Sequence, residues 1–203
     1  MILKVCGITN QEDAVAAIAG GATAIGFNFY PRSPRYIAPE RAAEIATAPG
    51  VRRVGVFVNA GRARVEEVAR IAALHVAQLH GDETPADYPA AVAVWKAARV
   101  MPGFSFAGFE NLPAEALLLD GPAAELYGGA GRSFDWSLAD FRDGASLRII
   151  LAGGLDASNV AGAVALAHPW GVDACSRIES APGKKDHNQM HRFLQAARAA
   201  LSA

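Results

Sequence analysis

The sequence predicts an α/β fold in which parallel strands alternate with crossover helices. Three observations support this class: short β-rich apolar runs recur along the chain, most are followed by a stretch with helical spacing, and no linker interrupts the alternation. Strands are expected at Ile2–Cys6, Ala24–Phe29, Arg53–Val58, Val76–Leu79, Val92–Val100, Ala116–Leu119, Arg148–Ala152 and Gly171–Ala174. Helices are expected at Gln11–Ala19, Pro39–Thr47, Arg62–Leu74, Thr84–Ala91, Ser158–Ala167 and His187–Leu201.

Eight such units in 203 residues favour a single domain, residues 1–203, folded as a compact (β/α)8 TIM barrel. Such barrels typically take about 250 residues and rarely fewer than about 200, so this one would have short connections. A doubly wound open sheet is the competing architecture, and the number of units separates the two poorly. Two connections depart from the strand–helix alternation: the proline-rich Tyr30–Pro39 and the glycine-rich Gly121–Asp135. Such loops often carry function.

The composition excludes several classes of protein. With 52% hydrophobic residues and a net charge of −1, the chain is neither disordered nor dependent on a broad basic surface for nucleic acid. No apolar stretch approaches the roughly 18 residues that a membrane span needs, and a cytoplasmic location is expected. In that compartment, Cys6 and Cys175 are expected to be free thiols.

The carboxyl ends of the predicted strands are the place to look for chemistry, because parallel strands gather their active site there. Cys6 ends the first strand, and period-two alternation places Lys4 behind it on the same face. A nearby ammonium lowers a thiol pKa, so Cys6 is a candidate base or nucleophile, although an inert buried cysteine is the commoner case. Asp120 follows three leucines, and desolvation there would keep the carboxyl protonated as a general acid; a turn aspartate before Gly121 is the alternative.

Gly153 and Gly154 precede a predicted helix, and Ser176 follows the last strand. Backbone N–H groups in such places bind phosphate, and in barrels the loops after strands seven and eight are a frequent phosphate site. The loop Gly128–Ser133 lacks the spacing and the lysine of a nucleotide phosphate loop. It is interpreted as a flexible active-site lid, with a plain solvent-exposed loop as the alternative. No metal site is predicted, because the five histidines are scattered, and His187 and His191 are expected on a solvated helix face.

A set of motifs, in order along the chain, resembles the phosphoribosylanthranilate isomerase family. The motifs are Lys4–Thr9, Phe27–Pro31, Ser33–Tyr36, Gly55–Asn59, Gln78–Gly81, Leu118–Asp120, Tyr127–Gly129, Phe134–Trp136, Ala152–Leu155 and Pro182–Asp186. They span nearly the whole chain and are together highly specific. The resemblance implies an eight-stranded barrel of tryptophan biosynthesis that performs an Amadori rearrangement without a cofactor.

The resemblance also implies roles for individual residues. Asp120 would protonate the ring oxygen of the sugar, and Cys6 would remove the proton from its second carbon. Arg35 would bind the anthranilate carboxylate, His80 would lie near the aromatic end, and Asp173 near the sugar hydroxyls. A small phosphorylated substrate is therefore the expected partner, with no nucleic acid or membrane; whether the chain is a monomer or a dimer stays open.

One motif departs from the family. Cys175-Ser176-Arg177 stands where the family usually has Ser-Ser-Gly. If that glycine has a positive φ, Arg177 would be strained by roughly 1–2 kcal/mol; alternatively, its charge helps to hold the phosphate. A disulfide between Cys6 and Cys175 is conceivable and would silence the base, but it is disfavoured in a reducing compartment.

Two other classes of function compete with this interpretation: another phosphosugar barrel enzyme, and a barrel that binds without catalysis. A pentose-phosphate epimerase would need metal-binding histidines and carboxylates at the strand ends, and an indole-glycerol phosphate synthase would need lysine and glutamate there. A catalytically silent barrel that binds a phosphorylated ligand is the rival from a different class. The presence of both Cys6 and Asp120 argues against it.

Overall fold

The computed structural model describes residues 1–109, 111–121, 136 and 147–202 of the chain. Eight parallel strands close into a barrel in which each strand pairs with the next and the eighth pairs with the first. The strands are β1 Ile2–Val5, β2 Ala24–Asn28, β3 Arg52–Phe57, β4 Val76–Leu79, β5 Ala93–Arg99, β6 Ala116–Asp120, β7 Arg148–Leu151 and β8 Gly171–Ala174. This confirms the predicted barrel and excludes the open sheet.

Five α-helices belong to the described part of the chain: α1 Gln11–Ala19, α2 Pro39–Glu44, α3 Arg62–Ile71, α4 Val160–Ala167 and α5 His187–Leu201. Strand residues alternate between two apolar clusters. Ile2, Trp95 and Leu118 belong to a cluster that contains no helix residue and fills the barrel, whereas Leu117 and Leu119 pack in the layer beneath the helices. With this period of two, every second side chain of a strand points toward the barrel axis. Side chains just after a strand can therefore lie at the mouth of the barrel, the end at which all eight strands finish.

The helix predicted at Thr84–Ala91 is wrong, because the structure has only a 3₁₀ turn at Pro85–Asp87. Two prolines explain the difference. Pro85 suits the first position of a helix, but Pro89 lacks the N–H of the next turn, and Tyr88 before it is extended with ψ 132°. Helices α2 and α3 also end three residues earlier than predicted, at Glu44 and Ile71.

The segment after β8 was not expected to have strands of its own. A 3₁₀ turn, Ser176–Ile178, leads into a hairpin of β9 Glu179–Ala181 and β10 Lys184–Lys185, and α5 follows directly. The His187 side chain is 40% exposed, and its Nε2 also lies 2.8 Å from the buried Asp13 carboxylate, a contact that the sequence did not predict. The loop Gly128–Ser133 lies outside the described residues. Within the described ranges, no helix has the length and apolarity to cross a membrane.

Candidate active site

Cys6 is the first residue after β1 and is 8% exposed at the mouth of the barrel. Its N–H donates to the Ala174 carbonyl at 2.9 Å, which continues the β1–β8 ladder past the end of the strand. Gly26 on β2 leaves the space that the thiol needs, since a Cβ there would lie 2.8 Å from Cys6 Sγ and 3.1 Å from Lys4 Nζ. Lys4 and Cys6 therefore share the inward face, as the alternation predicted.

Lys4 is completely buried and makes a 2.8 Å ion pair with Asp173, its register partner on β8. Burial disfavours the ammonium, but the charges of Asp173 and Cys6 outweigh it and raise the pKa of Lys4. Burial also raises the pKa of Asp173 to about 7, against the opposing effect of Lys4. Lys4 therefore stays positively charged and interacts with both Asp173 and the Cys6 thiol.

The pKa of Cys6 is held well below its usual value. A hydrogen bond with the Cys175 thiol is the largest cause; burial opposes it, and the Lys4 ammonium adds to it. Both cysteines are free thiols, as predicted. The environment of Cys6 thus favours the thiolate, which is the form that a base requires.

Asp120 ends β6, and both of its carboxyl oxygens have partners at the barrel mouth. Oδ1 accepts from the N–H of Gly121 at 2.8 Å, and Oδ2 lies 3.3 Å from His80 Nε2. The Gln78 amide lies 3.2 Å from the other ring nitrogen of His80 and orients the ring. Asp120 is 8% exposed, and of the three leucines before it only Leu118 shares its inward face, because Leu117 and Leu119 pack beneath the helices.

Arg35, in the loop after β2, lies across Gly7 at the same mouth. Gly7 has φ +75°, and a Cβ there would lie 2.8 Å from Arg35 Cδ and 3.0 Å from Cys175 Sγ, so a larger residue has no room. The Glu179 carboxylate accepts from Arg35 Nε at 3.0 Å and from Nη2 at 2.8 Å. Lys185 Nζ lies 2.8 Å from the same carboxylate, which is 4% exposed.

The two sides of this ion-pair group do not cancel in charge. Burial disfavours the carboxylate form of Glu179, but the hydrogen bond from Arg35 and the Lys185 charge prevail and lower its pKa. One carboxylate thus faces two cations, and the group carries an excess positive charge beside the thiols. Glu179 occupies the Nε edge of the guanidinium, which leaves the Nη1–Nη2 edge without a partner in the described part of the chain.

Gly153 and Gly154 lie in the loop directly after β7, one of the two loops in which the sequence predicted a phosphate site. Gly153 has φ +81°, and a Cβ there would lie 2.5 Å from the Gly121 nitrogen, so only glycine fits. Asn159 Nδ2 holds the Gly154 carbonyl at 2.8 Å, just before α4.

Arg177 is not strained. It lies in the 3₁₀ turn with Ser176, and positive φ outside glycine occurs in the described ranges only at Asn59, Ala73 and His168. The explanation by strain is therefore wrong. Arg177 Nη1 lies 3.4 Å from Asp156, which links the loops after β7 and β8.

Sequence reasoning missed three polar residues of the mouth: Gln78, Glu179 and Lys185. Gln78 and Lys185 lie inside motifs that resemble the family, but no neighbouring residue in the sequence indicates a role for either. Glu179 lies outside those motifs and reaches Arg35 only through a hairpin that the strand–helix alternation did not predict. All three side chains are buried, and the ion pair of Glu179 with Lys185 lies close to a cysteine, a signal that only the folded chain displays.

Comparisons with known proteins identify the family of this chain. The family model for N-(5'-phosphoribosyl)anthranilate isomerase matches residues 3–196. The protein of that name from Solibacter usitatus is 73% identical over the full length of both chains. The Thermus thermophilus phosphoribosyl anthranilate isomerase structure is 37% identical, with a TM-score of 0.87 over 98% of this chain and 99% of that one.

A further solved structure of this kind was determined with a bound ligand. That phosphoribosyl anthranilate isomerase, in complex with reduced 1-(o-carboxyphenylamino)-1-deoxyribulose 5-phosphate, has a TM-score of 0.82 and 37% identity, over 98% of this chain and all of that one. The family model and the relatives each cover most of the chain. The chain therefore belongs to the N-(5'-phosphoribosyl)anthranilate isomerase family, the aldose–ketose isomerases of tryptophan biosynthesis.

Proposed function

We propose that Cys6 is the general base and Asp120 the general acid of the rearrangement that this chain catalyses. The chain isomerises N-(5'-phosphoribosyl)anthranilate to 1-(o-carboxyphenylamino)-1-deoxyribulose 5-phosphate in tryptophan biosynthesis. The observation that carries the assignment is the position of a thiol with a lowered pKa and a hydrogen-bonded carboxyl at the same barrel mouth. Proton transfer to and from carbon and oxygen needs one group of each kind.

The reaction divides into steps that these two groups can serve. Asp120 gives a proton to the ring oxygen of the sugar as the bond from carbon 1 to that oxygen breaks, which leaves a protonated Schiff base at carbon 1. The Cys6 thiolate then takes the proton from carbon 2, and the electron pair moves into the enolamine. Tautomerisation of the enolamine gives the ketone. Carbon 1 is reduced as carbon 2 is oxidised, so the sequence needs no outside oxidant or reductant.

Asp173 is proposed to bind a sugar hydroxyl. One of its carboxyl oxygens accepts from Lys4, while Oδ1 is buried and has no hydrogen-bond partner among the described residues. A buried oxygen without a partner costs about 1–3 kcal/mol, and a hydroxyl donated by the substrate would recover that cost. The position of Asp173 beside Lys4 and Cys6 supports this role.

Arg35 is proposed to bind the anthranilate carboxylate, with His80 near the aromatic end of the substrate. Glu179 fixes the plane of the guanidinium through one edge, and the open Nη1–Nη2 edge has the two-donor geometry that a second carboxylate prefers. The excess positive charge shared with Lys185 supports an anionic ligand here.

Gly153, Gly154, Ser176 and Arg177 are proposed to bind the phosphate. The two loops that carry them meet, the glycines leave their backbone accessible, and Arg177 supplies positive charge. The partner is thus a small phosphorylated molecule. A cytoplasmic location is proposed as well, because a catalytic thiol beside a second thiol needs a reducing compartment.

Replacing either proton-transfer group tests the assignment. Cys6→Ala and Asp120→Asn are each expected to lower kcat at least about a hundredfold, the usual contribution of general acid–base catalysis. Turnover of freshly prepared phosphoribosylanthranilate is followed by loss of its fluorescence, with the exposed His191→Ala on α5 as the matched control. A Cys6 or Asp120 variant with near-normal kcat would contradict the roles.

The same assay separates the rival functions. Wild-type protein that binds the product but turns over no substrate would indicate a silent binding barrel. A chelator is expected to leave kcat unchanged. Loss of activity that a divalent metal restores would instead favour the metal-dependent epimerase class.

A further inference from the structure

Cys175 is a second thiol next to the proposed base, and the reaction as written does not use it. The β1–β8 register pairs Val5 with Ala174, and the Cys6 N–H bonds the Ala174 carbonyl at 2.9 Å. Cys6 and Cys175 are therefore neighbours across two strands that lie about 4.8 Å apart. Cys175 Sγ closes over Gly7, the residue next to Cys6.

Each of the two thiols lies close to a lysine. Lys4 is at hydrogen-bonding distance from Cys6, whereas Lys185 Nζ lies 4.0 Å from Cys175 Sγ. That distance is the limit for a hydrogen bond to sulfur, and Lys185 donates shorter hydrogen bonds to the Cys175 carbonyl at 3.2 Å and to Glu179 at 2.8 Å. Each lysine is therefore also held by a carboxylate, Lys185 by Glu179 and Lys4 by Asp173. Lys4 acts on the Cys6 thiol through a hydrogen bond as well as through its charge, whereas Lys185 acts on Cys175 through its charge.

Two adjacent thiols cannot both ionise at neutral pH, since the second negative charge would be repelled by the first. The hydrogen bond from Lys4 distinguishes the two, because it stabilises negative charge on Cys6 and leaves the proton on Cys175. The pKa of Cys6 is accordingly lowered, whereas the pKa of Cys175 is raised by its hydrogen bond with Cys6 and by burial. An S–H group that faces a neighbouring thiolate is a hydrogen-bond donor.

We propose that Cys175 keeps its proton and donates an S–H hydrogen bond to the Cys6 thiolate, acting as a positioning residue that holds the base deprotonated. The inference rests on the proposed function, because Cys6 is the base only in that scheme. The ionisable groups around this sulfur pair are Lys4, Arg35, Asp173, Glu179 and Lys185. None of them is altered in the test.

The test measures the pH at which Cys6 is half ionised, from the rate of its alkylation by iodoacetamide. The chain has two cysteines, so Cys175→Ala, Cys175→Val and Cys175→Ser each leave Cys6 as the single thiol. Alanine and valine cannot donate, valine fills the space of the lost sulfur, and serine keeps a donor. In the wild type, peptide mass spectrometry identifies which cysteine reacts.

The midpoint is expected to rise by about one pH unit in Cys175→Ala and Cys175→Val, a tenfold change in the ionisation constant. In Cys175→Ser it is expected to rise by less than half of that. The proposal is overturned if the alanine and valine variants titrate like the wild type, if serine shifts as far as alanine, or if wild-type Cys175 is alkylated first at neutral pH. Thermal melting of each variant confirms that it is folded.

The activity profile separates this inference from the roles on which it rests. If both hold, the acid limb of kcat/KM moves to higher pH in Cys175→Ala by the same amount as the alkylation midpoint, while KM above pH 9 stays at the wild-type value. A shifted alkylation midpoint with an unshifted acid limb would overturn Cys6 as the base and leave the hydrogen bond standing.

Discussion

Both ends of the barrel carry ion pairs, but they differ in how fully the chain pairs the polar atoms there. At the end where the strands begin, Glu115 accepts from Arg52 at 2.5 and 2.9 Å and from the Trp95 indole at 2.9 Å, and Arg148 lies 3.5 Å away. Trp170 packs edge-on against Trp95 and closes this end. Each oxygen of the Glu115 carboxylate has a partner supplied by the chain.

The end where the strands finish leaves polar atoms without partners. Asp173 Oδ1 and Gln78 Oε1 are buried there with no hydrogen bond from the described residues. The pKa of Asp173 is raised and that of Cys6 is lowered. A protein leaves buried polar atoms unpaired at a cost to stability, and that cost is recovered when a ligand supplies the partner.

The contrast shows how one scaffold separates stability from chemistry. Ion pairs around tryptophan, with every carboxylate oxygen of Glu115 paired, stabilise the end without a proposed function, while the mouth keeps buried polar atoms without partners among the described residues. Changes at the first end should therefore alter stability alone. Changes at the mouth should alter binding or turnover.

After Cys6 and Asp120, Arg35 is the mouth residue whose replacement is expected to have the largest effect on the kinetics. In Arg35→Ala, loss of a charged two-point contact with the anthranilate carboxylate is expected to raise KM about tenfold or more, with a much smaller change in kcat. Arg35→Lys is the matched variant, since an ammonium keeps the charge but cannot offer two edges, and KM should still rise. If steady-state kinetics gave Arg35→Lys a wild-type KM, the two-point contact of the guanidinium with the carboxylate would be contradicted.

Glu115→Gln would test the opposite end. Its ion pairs are partly exposed, so the free energy of unfolding is expected to fall by only about 1 kcal/mol at pH 7. The hydrogen bond from Arg52 lowers the pKa of Glu115, so this stability is present above pH 4.5 and is lost as the pH falls through the folded-state pKa. Urea unfolding at several pH values measures it, and kcat should stay at the wild-type value. A drop in kcat would contradict the claim that this end of the barrel contributes to stability alone.

Arg177→Gly has the smallest expected effect. The side chain is 48% exposed, so its contribution to phosphate binding is screened by solvent, and KM is expected to rise about two- to fivefold. The comparison is with Arg192→Gly on α5, which should leave KM unchanged. If Arg177→Gly lowered KM, Arg177 would be a hindrance to the substrate and not a phosphate ligand.

Much of the fold followed from local pattern. Alternating apolar runs predicted all eight barrel strands to within one residue at each end, because a buried strand needs a continuous apolar face. The pattern failed at Thr84–Ala91, where helical spacing was present but Pro89 removed the backbone donor that a second turn needs. It failed again after β8, since a hairpin of three and two residues is too short to show a period.

The site divides in a similar way. Cys6 and Asp120 could be proposed because each follows a strand in the sequence, and the barrel then brings both to one end. The partners that set their chemistry could not, because they come from distant segments: Lys4 pairs with Asp173 across 169 residues, and Arg35 pairs with Glu179 across 144. No local signal records such a contact.

By itself, the sequence determined the order of strands, the end of the barrel where polar residues gather, and the family to which the chain belongs. Only the tertiary structure decided the electrostatics of that end: the burial of Lys4, the thiol–thiol contact of Cys6 with Cys175, and the absence of strain at Arg177. The reason is physical. Periodicity depends on neighbours along the chain, whereas a pKa depends on charges and desolvation that folding brings together in space.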